Sequence, residues 1–302
     1  MSVSLLLLSP LSNGLFHVLL LRVARLLSLI LCQRTNFSLH KRSQTCRAAA
    51  LKRPELRYAV SVDGQFLTKT VDESFRNHDI IKVPFMTGVT SDEVYGASKL
   101  DRGMTRDEVK AVLSLFYTTE PVDVALNLIL DEHVGKSEDP KILRKAFTDI
   151  LGDIVFNVPG VKTIKAHADA GAPVFLYEYN FIAQMLKKMR PDFVGADHSD
   201  DLFGVFGLCF TTTHAVIIEQ CSKIEEDFVL MVMKYWANFA RTGSPNGADL
   251  VHWPQYGQEE NYLLIDTKPV VRQGLKKERF VFMTETLPKL LEEYKKKEHM
   301  EL

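Results

Sequence analysis

Two short apolar segments, each ended by polar residues, restrict the fold of this chain more than any other feature. Residues 82–89 (Lys-Val-Pro-Phe-Met-Thr-Gly-Val) and 172–179 (Ala-Pro-Val-Phe-Leu-Tyr-Glu-Tyr) have the length and apolar continuity of strands buried on both faces. Residues 104–117 and 140–155 lie between them and carry apolar side chains at helical spacing. In the second segment these side chains are Leu143, Phe147, Ile150, Leu151 and Ile154. Strands that alternate with helices predict an α/β fold with a mostly parallel sheet flanked by helices.

A long helix is predicted to begin after Ser222. Ser222-Lys223-Ile224-Glu225 matches a capping box, and Gly243 with Pro245 marks the end of the helix. The predicted apolar face consists of Ile224, Phe228, Val232, Trp236 and Phe239. We interpret this aromatic stripe as core rather than as a cofactor site.

An acid and a histidine each follow one of the two predicted strands. Glu93 follows residues 82–89, and His198 lies after the next strand, beside Asp197, Asp200 and Asp201. Loops at the carboxyl ends of parallel strands carry the chemistry of open α/β sheets, and a histidine oriented by an acid is a general base. From the residues alone three interpretations stay open: a catalytic base, a solvated histidine among acids, and a small divalent-metal site.

No nucleophile accompanies this pair in the sequence. The order serine, then acid, then histidine is that of α/β-hydrolases, whose serine sits on a G-x-S-x-G turn. That motif does not occur, and since none of the 16 glycines are adjacent there is no Gly-Gly oxyanion loop. Gly96-Ala97-Ser98-Lys99-Leu100 comes closest but lacks the second glycine. Ser91, Ser98 and Ser199 lie near the relevant loops, and we expect none of them to act as the nucleophile.

The charge and hydropathy of the chain argue against nucleic-acid binding and against a stable membrane span. The formal net charge of −1 gives no reason to expect nucleic acid. The basic residues before Glu55, the first acid, give that segment an excess of positive charge. Its apolar runs at 2–8 and 15–32 are short or interrupted by Arg22 and Arg25, each costing about 2.5 to 3.5 kcal/mol at mid-bilayer. We expect no stable membrane span, with a signal anchor or a transit peptide as alternatives.

The four cysteines show no C-x-x-C and no metal-ligand spacing. We therefore predict neither a bound metal nor redox chemistry. Cys32 and Cys46 could close a short loop in an oxidising compartment, a pairing that sequence alone does not fix. Cys209 is predicted to be a small buried apolar residue.

Several separated motifs resemble the C-terminal half of a vertebrate carboxylesterase, in the type B carboxylesterase and cholinesterase family. The resemblance covers residues 1–17 and about 58–302. The motifs are Leu8-Ser9-Pro10-Leu11-Ser12-Asn13-Gly14-Leu15-Phe16-His17, the 83–89 segment leading to Glu93, Asp169-Ala170-Gly171-Ala172-Pro173, Gly195-Ala196-Asp197-His198, Trp236-Ala237-Asn238-Phe239-Ala240-Arg241-Thr242-Gly243, Pro245-Asn246 and Trp253-Pro254.

The resemblance implies the C-terminal portion of an α/β-hydrolase fold with an incomplete sheet. It implies hydrolysis of small-molecule carboxylic esters through a Ser-Glu-His triad, with Glu93 and His198 as acid and base and with neither cofactor nor metal. The terminal His299-Met300-Glu301-Leu302 resembles a retrieval signal of the endoplasmic reticulum lumen, although no clear signal peptide precedes it. Oligomeric state is not implied.

The N-terminal segment departs from the family pattern. Residues 1–17 resemble the helix that follows the nucleophile, whereas residues 18–57 do not resemble the family and are expected to be aberrant or to fold poorly. We expect residues 1–57 to be a truncated segment beginning just after the nucleophile elbow, and residues 58–302 to be the C-terminal part of the carboxylesterase domain. Such a chain would expose an unpaired sheet edge and have no activity alone. The alternative is a non-catalytic interaction module.

Overall fold

A computed structural model describes most of the chain. The described residues are 7–15, 17–22, 62–95, 103–211 and 220–301. Cys32, Cys46 and Ser98 lie outside them, as does most of the 18–57 segment, so the predictions made for these residues are not addressed by the structure.

The described strands form one five-stranded sheet in which neighbours in space are also neighbours in sequence. The first four strands are parallel, and the fifth runs antiparallel to the fourth. This arrangement confirms the predicted α/β class with a mostly parallel sheet. In chain order the strands are β1 (Leu19–Arg22), β2 (Phe85–Thr90), β3 (Val174–Tyr179), β4 (Asn261–Ile265) and β5 (Val270–Gln273).

Helices flank the sheet, as predicted. In chain order the α-helices of the described residues are α1 (Val71–Arg76), α2 (Arg106–Leu113), α3 (Val122–Val134), α4 (Pro140–Gly152), α5 (Val158–Asp169), α6 (Gln184–Lys187), α7 (Asp201–Val205), α8 (Lys223–Thr242), α9 (Lys277–Val281) and α10 (Leu287–Glu301). The described residues also include two short 3₁₀ turns, Pro10–Ser12 and Leu208–Phe210, and two π turns, Asp153–Asn157 and Phe282–Thr286.

The central strands are buried on both faces, because their alternate side chains enter two separate cores. Phe85 and Val174, which are paired in register, lie in a core with residues of α3, α4, α5 and α10. Met86 and Phe175, the next pair along, lie in a second core with residues of α8. This burial explains why the 82–89 and 172–179 segments read as continuous apolar runs.

The helix α8 matches its predicted boundaries but differs in its buried face. Ser222 and Glu225 form both hydrogen bonds of the capping box, and Gly243 ends the helix in the left-handed conformation (φ 75°). The assignment of Ile224 to the apolar face is wrong, since this side chain is 65% exposed. Each four-residue step rotates about 40° around the helix, so Ile224 lies at the margin of the arc that Phe228 and Val232 bury.

The helix predicted over 140–155 does not end where the apolar spacing suggested. Gly152 passes directly into a π turn, Asp153–Asn157, and then into α5. In the π turn the Val158 N–H donates to the Asp153 carbonyl, and Pro159, which has no N–H, occupies the start of the following helix. The first predicted helix, 104–117, is shorter than expected and spans only α2.

Cys209 is not a free apolar side chain, and that prediction is wrong. It forms a disulfide with Cys221, with the two Cα atoms 5.7 Å apart. The 3₁₀ turn that carries Cys209 follows α7, whereas Cys221 directly precedes the Ser222 cap of α8. Packing of α7 against α8 brings the two cysteines within bonding distance. Their spacing in the sequence does not predict this disulfide.

The two outer strands of the sheet, as far as the chain is described, are β1 and β5. No described strand pairs with the second edge of either one. All four residues of β5 are exposed. None of the described helices is both long enough and apolar enough to cross a membrane.

Candidate active site

The structure brings together the acid and the histidine singled out in the sequence. Strands β2 and β3 run parallel and in register up to the pair Thr90 and Tyr179, so the loops that follow them leave the same edge of the sheet. Glu93 lies on the first of these loops and His198 on the second. The His198 Nδ1 atom is 2.6 Å from the Glu93 Oε2 atom.

Glu93 is held in a fixed position below the surface. Its side chain is 3% exposed, and its Oε1 atom accepts a hydrogen bond from the Thr90 N–H at 2.7 Å. Burial raises the pKa of the Glu93 carboxyl, while the hydrogen bond and charge of His198 and the Thr90 N–H oppose that rise. A carboxylate held this way can orient an imidazole without moving itself.

His198 is partly buried, with 26% of its side chain exposed. Its ring packs against that of Phe156 in the π turn, at a centroid distance of 4.8 Å. Burial lowers the pKa of His198, but the hydrogen bond and charge of Glu93, together with the charges of Asp201 and Asp197, outweigh it and raise the pKa above its ordinary value. A carboxylate only accepts hydrogen bonds, so in neutral His198 the Nδ1 atom carries the proton and Nε2 is the basic nitrogen.

The side chains of Asp200 and Asp201 also have partners other than His198. Asp200 accepts the Asp197 N–H at 2.8 Å and forms a two-pronged ion pair with Arg190. Asp201 accepts a hydrogen bond from the Tyr177 hydroxyl at 3.2 Å. Within the described part of the chain, no group of three or more His, Cys, Asp or Glu side chains could hold a metal ion. These contacts hold the loop around His198. The described residues therefore offer no ligand set for the divalent-metal interpretation.

Neither described serine near the pair stands on a strand-to-helix turn. The Ser91 Oγ atom accepts the Ala196 N–H at 2.9 Å, so this hydroxyl joins two loops. Ser199 follows His198 with a left-handed backbone (φ 78°) in the turn before α7.

Two lysines that contact the loop after β2, Lys145 and Lys276, were not identified from the sequence. The Lys276 Nζ atom donates to the Ser91 carbonyl at 3.1 Å, and burial lowers the pKa of Lys276, with Arg279 adding to the effect. The Lys145 Nζ atom lies 3.2 Å from Asp92 Oδ1. Burial lowers the pKa of Lys145, but the nearby carboxylates of Asp149 and Asp92 raise it overall. These contacts span 185 and 53 residues of sequence, so no local pattern could predict them.

A cavity of about 570 Å³ adjoins the same two loops. Its lining includes Ser91, Asp92 and Gly195 together with Asn180 and Asp266, but neither Glu93 nor His198. The cavity therefore lies beside the acid–histidine pair and does not contain it.

A mostly parallel sheet that carries an acid and then a histidine on loops at its carboxyl edge has the arrangement of the last two triad residues in an α/β-hydrolase. Sequence comparison makes the assignment specific: the model of the carboxylesterase family matches residues 36–283, a match that extends into the 18–57 segment. The chain belongs to the carboxylesterase family.

Several curated proteins are similar to the chain. Pyrethroid hydrolase Ces2a of Mus musculus is 36% identical over 244 residues, covering 78% of this chain and 42% of that protein. Carboxylesterase 1D of Rattus norvegicus is 34% identical over 250 residues, covering 80% and 43%. Liver carboxylesterase 1 of Mus musculus is 35% identical over 251 residues, again covering 80% and 43%. The chain thus spans less than half the length of these relatives.

Proposed function

We propose that Glu93 and His198 are the acid and the base of a serine carboxylic ester hydrolase. The observation that carries this proposal is the hydrogen bond of 2.6 Å between a buried carboxylate and His198 Nδ1. Membership of the carboxylesterase family supports it, because that chemistry needs a histidine oriented by an acid.

In this mechanism the basic Nε2 atom of His198 takes the proton from a serine hydroxyl as the oxygen attacks the ester carbonyl. A neutral serine is a weak nucleophile, so removal of that proton makes the attack possible. Glu93 keeps Nδ1 protonated and stabilises the imidazolium that forms. His198 then gives the proton to the leaving alkoxide, which departs as the alcohol and leaves an acyl group on the serine. Water then attacks the acyl carbonyl while Nε2 takes its proton. The bond between the acyl group and the serine oxygen breaks, and the proton passes to that oxygen, which releases the carboxylic acid and restores the serine.

The 302 residues contain the acid and the base but no serine on a G-x-S-x-G turn. We also propose that residues 58–302 form the C-terminal part of a carboxylesterase domain. Loss of the nucleophile machinery typically costs about a million-fold in rate. The polypeptide of this sequence is therefore proposed to have no esterase activity by itself.

Purified protein of this sequence is expected to hydrolyse p-nitrophenyl acetate and p-nitrophenyl butyrate no faster than buffer does. His198→Ala should leave that rate unchanged, because no acyl-enzyme can form. The assay follows release of p-nitrophenol, with liver carboxylesterase 1 as the positive control. Hydrolysis above background that disappears in His198→Ala would contradict the expectation and reveal a nucleophile among the 302 residues.

The proposed substrate class is the small-molecule carboxylic esters. Support comes from the family and from relatives named pyrethroid hydrolase and acylcarnitine hydrolase. No nucleic acid and no cofactor takes part in this proposal.

The proposed location is the lumen of the endoplasmic reticulum. The Cys209–Cys221 disulfide supports it, because disulfides persist in oxidising compartments and are rare in the cytosol. Fractionation of cells that express the chain with a free C-terminus tests this, and recovery in the cytosol with both thiols reduced would contradict it.

A further inference from the structure

We propose that Ser91, Asp92 and Gly195 are positioning residues that hold the two loops of the acid–histidine pair together. This inference rests on the proposed function, since it concerns how His198 is kept within reach of Glu93. None of the three residues is required to touch a substrate. Their role would be to fix the separation of the two groups that do the chemistry.

Three hydrogen bonds join the two loops, and we call them the loop–loop contact. The Gly195 N–H donates to Asp92 Oδ2 at 2.6 Å, and the Ala196 N–H donates to Ser91 Oγ at 2.9 Å. In the opposite direction the Asp92 N–H donates to the Ala196 carbonyl at 2.8 Å. This last bond belongs to an isolated parallel β-bridge between Asp92 and Asp197. The end of β2 is thus connected, residue by residue, to the segment that leads into His198.

The loop–loop contact ends next to the pair it would position. Glu93 directly follows Asp92 in the chain, and Asp197, the last residue of the contact, directly precedes His198. No residue separates the loop–loop contact from Glu93 or from His198. A shift of one loop along the other therefore changes the distance between His198 Nδ1 and Glu93 Oε2. Hydrogen bonds across a short distance of this kind weaken steeply when their geometry is lost.

Gly195 allows this close approach because it has no side chain. A Cβ atom at position 195 would lie 2.5 Å from Ser91 Oγ and 3.1 Å from Asp92 Oδ2. The backbone of Gly195 does not have a positive φ, so the requirement for glycine is one of space. Alanine there must displace the Ser91 hydroxyl that accepts the Ala196 N–H and must crowd the Asp92 carboxylate, so it disturbs the atoms that join the two loops.

Two lysines from other parts of the protein bind the first loop, the one that follows β2. Lys145 pairs with Asp92 Oδ1, the carboxylate oxygen that Gly195 does not use. Lys276 donates to the Ser91 carbonyl, leaving the Ser91 hydroxyl for Ala196. Ser91 and Asp92 are therefore each bonded both to the second loop and to the body of the protein, as a positioning role requires.

The pKa of His198 can report on the geometry of the pair, because the carboxylates that raise it most are identified. They are Glu93 on the first loop, Asp197 on its own loop and Asp201 at the start of α7, with Phe156 packed against the ring. Asp92→Asn removes the same negative charge as Asp92→Ala but keeps an oxygen for the Gly195 N–H. A pKa of His198 that falls in Asp92→Ala and not in Asp92→Asn therefore reports a change in geometry rather than the loss of a charge.

The experiment is a histidine NMR titration of the 302-residue chain, with His198 assigned by the loss of its signals in His198→Ala. The substitution Gly195→Ala is compared with Gly257→Ala, a matched control because a Cβ atom at Gly257 meets nothing within 4 Å. Asp92→Ala removes both functions of the carboxylate. Asp92→Asn keeps an oxygen for the Gly195 N–H and so provides the conservative rescue.

We expect Gly195→Ala and Asp92→Ala to lower the pKa of His198 and to abolish the downfield Nδ1 proton signal of its bond to Glu93. Gly257→Ala and Asp92→Asn should retain the signal and a wild-type pKa. Unfolding midpoints are measured on all variants, so that a change at His198 in a folded protein is separated from unfolding. Should Gly195→Ala or Asp92→Ala unfold, Ser91→Ala, which removes only the Ser91 Oγ acceptor, provides a milder test with the same expected direction.

Glu93→Gln separates this inference from the proposed function. A wild-type pKa in folded Gly195→Ala, Asp92→Ala and Ser91→Ala, combined with a lowered pKa in Glu93→Gln, would overturn the positioning role and leave the acid–base pair intact. No response of His198 to Glu93→Gln would instead overturn the proposed function itself.

Discussion

Replacement of Trp253 by alanine is expected to lower the free energy of unfolding by about 4 kcal/mol. Trp253 lies in the loop between α8 and β4, its side chain is fully buried, and it belongs to the same core as α8. Its ring meets those of Phe175, Tyr177 and Tyr235 edge-on at centroid distances of 5.6 to 6.2 Å. The substitution therefore leaves a large cavity beneath β3, the strand that precedes the His198 loop. Urea unfolding followed by circular dichroism measures the change.

The indole N–H of Trp253 allows a sharper comparison. It donates to the Leu176 carbonyl at 3.0 Å, whereas the indole N–H of Trp236, also buried, has no hydrogen-bond partner among the described residues. Phenylalanine at position 253 leaves that carbonyl without its indole donor, at a cost of about 1 to 3 kcal/mol. We expect Trp253→Phe to be more destabilising than Trp236→Phe, and equal losses would contradict the role assigned to this hydrogen bond.

Acidification is expected to destabilise the protein by about 3 kcal/mol between pH 7 and pH 4 through one histidine. His167 on α5 is 1% exposed, and neither ring nitrogen has a hydrogen-bond partner among the described residues. Its ring packs against that of Phe85 on β2 at 4.7 Å. Burial lowers the pKa of His167 from 6.5 to about 4, because a charged imidazole there would lose its hydration without gaining a partner.

The direction of this effect follows from proton binding. Between pH 6.5 and about 4 the unfolded chain binds a proton at His167 and the folded chain does not, so acid favours unfolding. Stability is thus fully retained above the ordinary pKa and declines as the pH falls toward the lowered one. His167→Leu should remove this part of the pH dependence while changing stability little at pH 7, since the ring makes no hydrogen bond there.

Urea unfolding at pH 7 and pH 4 tests the role of His167, with His252→Gln as the control because His252 is exposed. The wild type and the control should lose about 3 kcal/mol more than His167→Leu does. An equal acid-induced loss in all three proteins would mean that other groups cause it.

Sequence patterns predicted best the elements whose signals are local. The α8 helix has its capping box at one end and a left-handed glycine at the other, and both work as expected. Strands β2 and β3 were recognised because burial on both faces makes most of their positions apolar. In contrast, every residue of β5 is exposed, so neither an apolar run nor an alternating pattern marks this strand.

The errors are of two kinds: a helix boundary that a local irregularity removed, and contacts between separate elements. The π turn between α4 and α5 keeps the helix continuous past Val155, although apolar spacing suggested an end there. The Cys209–Cys221 bond depends on how α7 packs against α8. In the candidate site the order of acid and histidine indicated the pair, because parallel strands deliver both loops to one edge. The lysine contacts behind the first loop depend on helices whose placement the sequence does not reveal.

The central claim is that Glu93 orients His198 and raises its basicity, and histidine NMR on the 302-residue chain tests it most directly. The wild type is expected to show a pKa of His198 above its ordinary 6.5 and a downfield Nδ1 proton. In Glu93→Gln the proton signal should disappear and the pKa of His198 should fall, because the hydrogen bond and charge that raise it are removed. Glu285→Gln, at an exposed position, should change neither. A pKa of His198 that is the same in wild type and in Glu93→Gln would contradict the account.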